Sequence, residues 1–351
     1  MKLLTIIIIL NLGAMISCSK NPASSTDDNS LEYVQPEAVG WSSEQLNEVK
    51  PIIEQSGYSA VMAFYDGKVF FSWGDISRNF ECHSIRKPFL GALYGIHIEQ
   101  GNIDLDNTLE ELNIDDIPPS LTNEEKQAKV WDLLKSRSGV YHEAAAEVQV
   151  MIDTRPGRGS HPPDTFFYYN NWDFNALGTI FEQETGTKIF EEFKRGIAEP
   201  IGMEDFNIDN CYYHYELHKS KHPAYCFRMS ARDMARFGVL YQQNGMWKSN
   251  QIIPTEWISQ STIAYSIEDS ASGLVGYGYM WKIIPEGSQL AQITGFSGYF
   301  HTGIGVHALI IIPELKLVIV ERYDTDGNWT DPGEVGMEIG IMIINARITG
   351  R

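Results

Sequence analysis

The sequence predicts an α+β fold in which one antiparallel sheet is built from both chain ends, flanked by helices, with a helical insert between them. Apolar strand patterns occur early, at residues 60–65 and 69–73, and return only from Gly278 onward. From about residue 104 to 257 the pattern is helical and rich in loops. Strands at both ends with helices between them imply a single sheet assembled from the two ends.

The two early strands flank Asp66-Gly67-Lys68, and Asp-Gly between apolar runs is a strong β-hairpin signal. Both strands are nearly continuous in apolar residues, which indicates a sheet covered on both faces. A helix over Ser43–Gln55 is predicted before them. A second helix is predicted to begin near Ser84 and to end near Gly101.

The rest of the domain is predicted to consist of a block of helices, then a block of strands and a final helix. The remaining predicted helices cover Trp131–Lys135, Asp173–Glu184, Ile189–Arg195, a segment opened by the capping box Ser230-x-x-Asp233, and about Glu334 to Arg347. The later strands are predicted at Gly278–Ile284, Gly298–Gly303, His307–Ile312 and Leu317–Arg322. A cleft is expected where the helical insert meets the sheet.

The N-terminus has the organisation of an export signal. Met1-Lys2 precedes an apolar run from Leu3 to Ile16, which is too short for a membrane span and typical of a signal peptide. The residues leading into Cys18 resemble a bacterial lipobox, which predicts lipid attachment at Cys18. The alternative is a plain signal peptide in which this cysteine is incidental. We therefore predict that residues 1–17 are a lipoprotein signal peptide.

Composition divides the exported chain and limits its partners. Residues 18–30 contain almost no apolar side chains and are predicted to form a disordered tether before a folded domain at 31–351. This predicts a lipid anchor in the bacterial cell envelope, periplasmic or at the outer membrane. The net charge of −19, without a Lys/Arg-rich run, argues against nucleic acid as a partner. The sequence leaves the oligomeric state open.

Ser84-Ile85-Arg86-Lys87 is the first candidate catalytic motif. Residues three apart lie on one helix face, so the Lys87 amine can reach the Ser84 hydroxyl. Pro88 fits only a first helical turn, which places Ser84 near a helix N-terminus, where the helix dipole favours developing negative charge. A serine becomes a strong nucleophile when a nearby base takes its proton, and lysine acts as a base once its pKa is lowered.

Two further motifs follow in order. Tyr169-x-Asn171 lies in an aromatic and amide-rich segment, and His301-Thr302-Gly303 lies in a glycine-rich segment before the last strands. Together with Ser84-x-x-Lys87, they resemble the class C β-lactamase and penicillin-binding-protein-like serine hydrolase family. The resemblance runs from about Pro36 to the C-terminus and implies a β-lactamase/transpeptidase-like fold.

The resemblance implies acyl-enzyme chemistry with a division of roles. Ser84 would attack a carbonyl, Lys87 would help remove its proton, and Tyr169 would act as general base and acid. Asn171 would orient Lys87 and the substrate, and the backbone N–H groups of Ser84 and Ile304 would form the oxyanion hole. No metal or cofactor is expected.

The third motif departs from the family pattern. Its antibiotic-hydrolysing and peptidase members carry Lys-Thr-Gly where this chain has His301-Thr302-Gly303, three residues expected to bind substrate. Histidine is mostly neutral at pH 7, so it lacks the permanent cation that pairs with a substrate carboxylate. The His-x-Gly form of this motif resembles that of the esterase and amidase branch of the family, including the 6-aminohexanoate-dimer hydrolase type.

Other functions stay open. The leading hypothesis is a hydrolase of a small ester or amide; a β-lactamase or D,D-carboxypeptidase and a non-hydrolytic ligand-binding lipoprotein are the alternatives. His214, His218 and His222 have a spacing that could bind zinc on a helix, although a surface loop suits their neighbours better. An oxidising compartment would also allow a Cys211–Cys226 disulfide, which the sequence cannot establish.

Overall fold

Eight strands form one antiparallel sheet in the computed structural model, which describes residues 30–270, 273–327, 329 and 335–348. The predicted signal peptide, Cys18 and nearly all of the predicted tether lie outside these residues, so export and lipid anchoring stay predictions. No helix among the described residues is both long and apolar enough to cross a membrane.

The helices and strands are numbered here in chain order. The helices are α1 (Ser43–Gln55), α2 (Arg86–Glu99), α3 (Val130–Leu134), α4 (Gln149–Thr154), α5 (Asn171–Thr185), α6 (Ile189–Phe193), α7 (Ala231–Gln242), α8 (Thr255–Ser261), α9 (Gln289–Thr294) and α10 (Val335–Asn345). The strands are β1 (Tyr58–Tyr65), β2 (Lys68–Gly74), β3 (Phe80–Glu81), β4 (Tyr212–His214), β5 (Ala224–Cys226), β6 (Arg228–Met229), β7 (Met246–Trp247), β8 (Asn250–Gln251), β9 (Ser266–Ser270), β10 (Gly273–Tyr277), β11 (Lys282–Ile284), β12 (Gly298–Gly303), β13 (His307–Ile312) and β14 (Leu317–Tyr323).

The large sheet joins the two ends of the folded chain. Its strand order is β2-β1-β14-β13-β12-β11-β10-β9, so β1 lies between its hairpin partner and the last strand. Tyr65 of β1 pairs with Leu317 of β14, and all neighbouring strands are antiparallel. This confirms the predicted α+β fold with one antiparallel sheet built from both chain ends.

Both faces of the sheet are buried. Because side chains alternate across a strand, Met62 and Phe64 of β1 lie in the core shared with α2, α5 and α7, whereas Val61 and Ala63 lie in a second core with α1 and α10. Helices therefore cover the sheet on both sides, as the continuous apolar strands predicted. The main core is the one that places α2 against the sheet.

One predicted strand is wrong in a way that affects the site. The segment expected as a single strand over Gly278–Ile284 begins with a tight turn, and Lys282 pairs back with Tyr277. The turn places Met280 in the left-handed region at φ 60°, and the Met280 N–H donates to the Leu134 carbonyl at 3.2 Å. Tertiary hydrogen bonds thus stabilise a turn that the local sequence does not signal.

Candidate active site

The chain that leads into Ser84 is fixed by hydrogen bonds from two directions. Phe80 of β3 pairs with Met229 of β6, and the Cys82 N–H donates to the Phe227 carbonyl at 2.9 Å. From the large sheet, the buried guanidinium of Arg322, on β14, donates to the Phe80 carbonyl at 2.8 Å and to the Glu81 carbonyl at 3.1 Å. β14, the last strand in chain order, therefore holds the segment that contains Ser84.

Ser84 lies in a 3₁₀ turn, His83–Ile85, that continues directly into α2. His83 has a left-handed backbone at φ 46°, and its ring is held by a 2.8 Å hydrogen bond between Nε2 and Thr325 Oγ1. Non-glycine residues in this conformation are uncommon and cluster at functional sites. The turn leaves Ser84 half-buried, so the residue keeps some exposure to solvent.

Lys87 lies next to the Ser84 hydroxyl and is shielded from water. A hydrogen bond of 2.8 Å joins Lys87 Nζ and Ser84 Oγ, and only 1% of Lys87 is exposed. Burial, followed by the positive charges of Arg86 and Lys282, lowers the pKa of Lys87 well below its usual value. A neutral amine has a lone pair, so it can accept the hydroxyl proton of Ser84.

Tyr169 packs against Lys87 just before α5. The Lys87 ammonium nitrogen is 4.7 Å from the centre of the Tyr169 ring and 4.7 Å from that of Phe174. The Tyr169 ring also faces His301, with 6.4 Å between the two ring centres. The structure therefore brings the predicted residues Ser84, Lys87, Tyr169 and His301 into one cluster.

Asn171 is the first residue of α5, two residues after Tyr169. The helix is capped by Asn170, whose side chain accepts from the Trp172 N–H at 3.1 Å. Asn171 Nδ2 donates to the Ala146 carbonyl at 2.6 Å, which fixes the amide plane. Its Oδ1 is buried without a hydrogen-bond partner among the described residues. Such an oxygen is an acceptor that a lysine or a substrate N–H could satisfy.

The third motif lies along the end of β12, directly beside the 3₁₀ turn of Ser84. A Cβ atom on Gly303 would lie 2.8 Å from the Cys82 carbonyl oxygen, so only glycine permits this close approach. Ile304 follows in the turn between β12 and β13 and is 41% exposed. The predicted oxyanion donors thus sit on two segments in backbone contact.

His301 is fully buried, and its environment keeps it neutral. Its Nδ1 lies 2.9 Å from the Thr302 carbonyl, which accepts a hydrogen bond from the Nδ1–H tautomer. Burial, then the positive charges of Lys87 and Lys282, lowers the pKa of His301 well below its usual value. The side chain therefore supplies no cation near neutral pH, as the sequence indicated.

Lys282 is a site residue that the sequence reasoning missed. It opens β11, the strand next to β12, and its Nζ donates to Thr302 Oγ1 at 3.3 Å. The same nitrogen is 6.0 Å from the centre of the Tyr169 ring. A lone lysine in an apolar segment gives no local signal, and only the pairing of β11 with β12 brings it to the third motif.

The histidines considered for zinc do not converge. His214 lies on β4, with its Nε2 3.5 Å from Glu216, whereas His222 is buried and bonded to Thr179 Oγ1 and the Asp115 carbonyl, each at 2.9 Å. Within the described residues, no group of three or more His, Cys, Asp and Glu side chains could hold a metal ion. The candidate disulfide is not formed, because Cys211 and Cys226 are free thiols.

Solved structures share this fold. A 6-aminohexanoate-dimer hydrolase homologue from Bacillus anthracis is 20% identical, with a TM-score of 0.64 over 90% of this chain and 86% of that one. A hydrolase with promiscuous acyltransferase activity is 14% identical, with a TM-score of 0.59 over 88% and 98%. A mutant of a class C β-lactamase is 14% identical, with a TM-score of 0.61 over 86% and 96%. At these identities the likeness establishes the fold.

Sequence comparison establishes the family. No curated protein is similar enough in sequence to match the chain. The model of the β-lactamase family, in contrast, matches residues 59–321, a span that runs from β1 into β14 and contains all three motifs. The chain therefore belongs to the β-lactamase family.

Proposed function

We propose that the protein is a serine hydrolase that cleaves a small ester or amide through an acyl-enzyme on Ser84. The observation that carries this proposal is the 2.8 Å hydrogen bond between Ser84 Oγ and a buried Lys87 whose pKa is lowered. A nucleophile with an adjacent base is the arrangement that acyl transfer requires.

The reaction would proceed in two steps. Ser84 Oγ attacks the substrate carbonyl while its proton passes to Lys87, and the negative oxygen is bound by the N–H groups of Ser84 and Ile304. Tyr169 donates its phenolic proton to the leaving group as the tetrahedral intermediate collapses, and the proton held by Lys87 then passes to the Tyr169 oxygen. Water then attacks the acyl-enzyme along the reverse proton route and releases the acid and free Ser84.

The test of the proposal is covalent labelling. A fluorophosphonate should add one adduct to the wild-type protein, seen by intact-mass analysis, and none to Ser84→Ala. His97, which is buried on α2 away from the cluster and beside Glu192 at 3.1 Å, supplies a control. The variant His97→Asn should be labelled as the wild type is. If several such probes leave the wild-type protein unmodified, the hydrolase proposal fails and the non-hydrolytic ligand-binding alternative remains.

The choice between substrates needs a separate measurement. Aryl esters should be hydrolysed faster than a chromogenic cephalosporin, because the third motif has the His-x-Gly form of the esterase and amidase branch instead of Lys-Thr-Gly. Hydrolysis of the cephalosporin as fast as simple aryl esters would instead assign a β-lactamase or D,D-carboxypeptidase. Purified protein and a panel of esters, amides and β-lactams decide the point.

The pH dependence of hydrolysis follows from the base. Below its pKa the Lys87 amine is protonated and cannot accept the Ser84 proton, so kcat/KM should fall as the pH falls through that value. Because burial lowers the pKa of Lys87 well below its usual value of 10.5, the rise should be complete at a pH where a free lysine is still charged. Measuring kcat/KM for an uncharged ester between about pH 4 and pH 10 checks this. A limb centred at the ordinary lysine pKa would contradict it.

A further inference from the structure

The cation missing from the third motif is present on the neighbouring strand. His301 is buried and neutral, but Lys282 on β11 is only half-buried, and its Nζ donates to Thr302 Oγ1 at 3.3 Å. The Thr302 hydroxyl can turn its own proton towards a ligand while it accepts from Lys282. The positive charge of Lys282 therefore lies beside the end of β12.

Sheet geometry explains how Lys282 reaches this position. Lys282 pairs with Phe300, and Phe300 and Thr302 lie on the same face of β12 because side chains alternate along a strand. A long side chain can reach the diagonal neighbour of its partner across an antiparallel pair. The contact of Lys282 with Phe300, at 5.9 Å from the ring centre, and its bond to Thr302 fit this path.

The site is positive within a strongly acidic protein. The whole chain has a net charge of −19, yet Lys282 and Arg86 lie close enough to His301 for their positive charges to lower its pKa. Arg86 is buried, donates to Asn175 Oδ1 at 2.9 Å, and lies over the Tyr225 ring at 4.2 Å from the ring centre. A local positive potential in a cleft attracts anions, and it is selective because the surrounding surface repels them.

We infer that Lys282 and the Thr302 hydroxyl form an anion subsite, and that the substrate is an ester or amide with a carboxylate near the scissile bond. This deepens the proposed function and rests on it. Thr302 is adjacent to Gly303, which lies against the residues just before Ser84, so an anion bound at Thr302 would be near the carbonyl that Ser84 attacks. The ligand is a carboxylate on the substrate itself, and the positive charge comes from β11 rather than from the motif.

A matched pair of substrates tests the subsite. The mono-4-nitrophenyl ester of glutaric acid carries a free carboxylate, and its methyl ester has nearly the same length without the charge. The ratio of kcat/KM for the charged over the neutral ester is measured in the wild type, Lys282→Met, Lys282→Arg and Lys316→Met. Lys316 is a half-exposed lysine between β13 and β14, paired with Asp66 at 2.9 Å, and serves as the matched control.

The ratio should favour the charged ester in the wild type and fall about tenfold or more in Lys282→Met, the size expected for a hydrogen bond to a charged group. The loss should be a higher KM for the charged ester, because ground-state binding is removed. Lys282→Arg should keep most of the preference, and Lys316→Met all of it. An unchanged ratio in Lys282→Met overturns the inference.

Binding separates the two proposals. In the Ser84→Ala background, Lys282→Met should weaken the binding of the charged ester about tenfold by titration calorimetry, whether or not the protein is a hydrolase. If the wild type cleaves neither ester but this difference persists, the hydrolase proposal fails and the subsite stands. If both esters are cleaved and Lys282→Met changes neither the ratio nor the binding, the subsite fails and the hydrolase proposal stands.

Discussion

The Lys87→Met variant is expected to lose about three orders of magnitude or more in kcat/KM for an activated ester. Methionine fills a similar volume but cannot accept the proton of Ser84, which loses its hydrogen-bond partner at 2.8 Å. The oxyanion donors and the binding cleft remain, so a small residual rate should persist. The measurement is initial-rate hydrolysis of a 4-nitrophenyl ester.

A matched control guards against a general effect of removing a lysine. Lys68, at the start of β2, forms an exposed ion pair with Glu32 at 2.7 Å, and exposed pairs contribute little to stability. Lys68→Met should therefore keep wild-type kinetics. If Lys87→Met retains a tenth or more of the wild-type kcat/KM, roughly 1.4 kcal/mol of transition-state stabilisation, Lys87 is not the base.

Stability distinguishes lost chemistry from lost folding in the same variant. The pKa of Lys87 is lowered in the folded state, so at pH values between the folded and the unfolded pKa the chain takes up a proton at this residue when it unfolds. The contribution of Lys87 to the free energy of unfolding of the wild type therefore decreases as the pH falls from the unfolded pKa towards the folded pKa. Methionine removes this penalty, so Lys87→Met should unfold at a higher urea concentration than the wild type at pH 7.

The Gly303→Val variant is expected to lower kcat about 10²- to 10³-fold, the range for removing one oxyanion-hole donor. A Cβ atom at this position would lie 2.8 Å from the Cys82 carbonyl and 3.1 Å from the His83 Cβ. The end of β12 must then move away from the turn of Ser84, and the Ile304 N–H moves with it. KM should change less than kcat, because the transition state depends most on this alignment.

The control for this variant is Gly157→Val, because a Cβ atom on Gly157 meets nothing within 4 Å. Its kinetics should match those of the wild type. Circular dichroism and urea unfolding of Gly303→Val establish that the sheet still forms. A folded Gly303→Val protein with wild-type kcat would mean that Ile304 is not an oxyanion donor.

Much of the fold could be predicted from local sequence, and the exceptions have identifiable causes. Asp66-Gly67 specifies its hairpin through backbone conformations that these residues favour, and the helix Ser43–Gln55 begins and ends as predicted. The turn at Met280 was missed because it depends on hydrogen bonds that its N–H groups donate to the carbonyls of Ser261 and Leu134, which are distant in sequence. Left-handed backbone at a methionine has no compositional signature.

In the candidate site, too, some features could be predicted from local sequence and one could not. The contact between Ser84 and Lys87 could be predicted because it is local, three residues apart in one turn. The neutrality of His301 also followed from its residue type. The role inferred for Lys282 could not be predicted, because it depends on which strand lies next to β12 and where that strand begins.

Because of Arg322, the position of Ser84 depends on a strand that is among the last parts of the chain to be synthesised. It lies on β14, the last strand of the large sheet, and bonds the carbonyls of Phe80 and Glu81 near the first strands. Contacts between residues so far apart in sequence form late, because loop-closure entropy opposes them until most of the chain is available. A nascent chain that still lacks residues 317–323 thus contains Ser84 and Lys87 without the surroundings that activate them. Hydrolytic activity should therefore emerge only as the final strand is added.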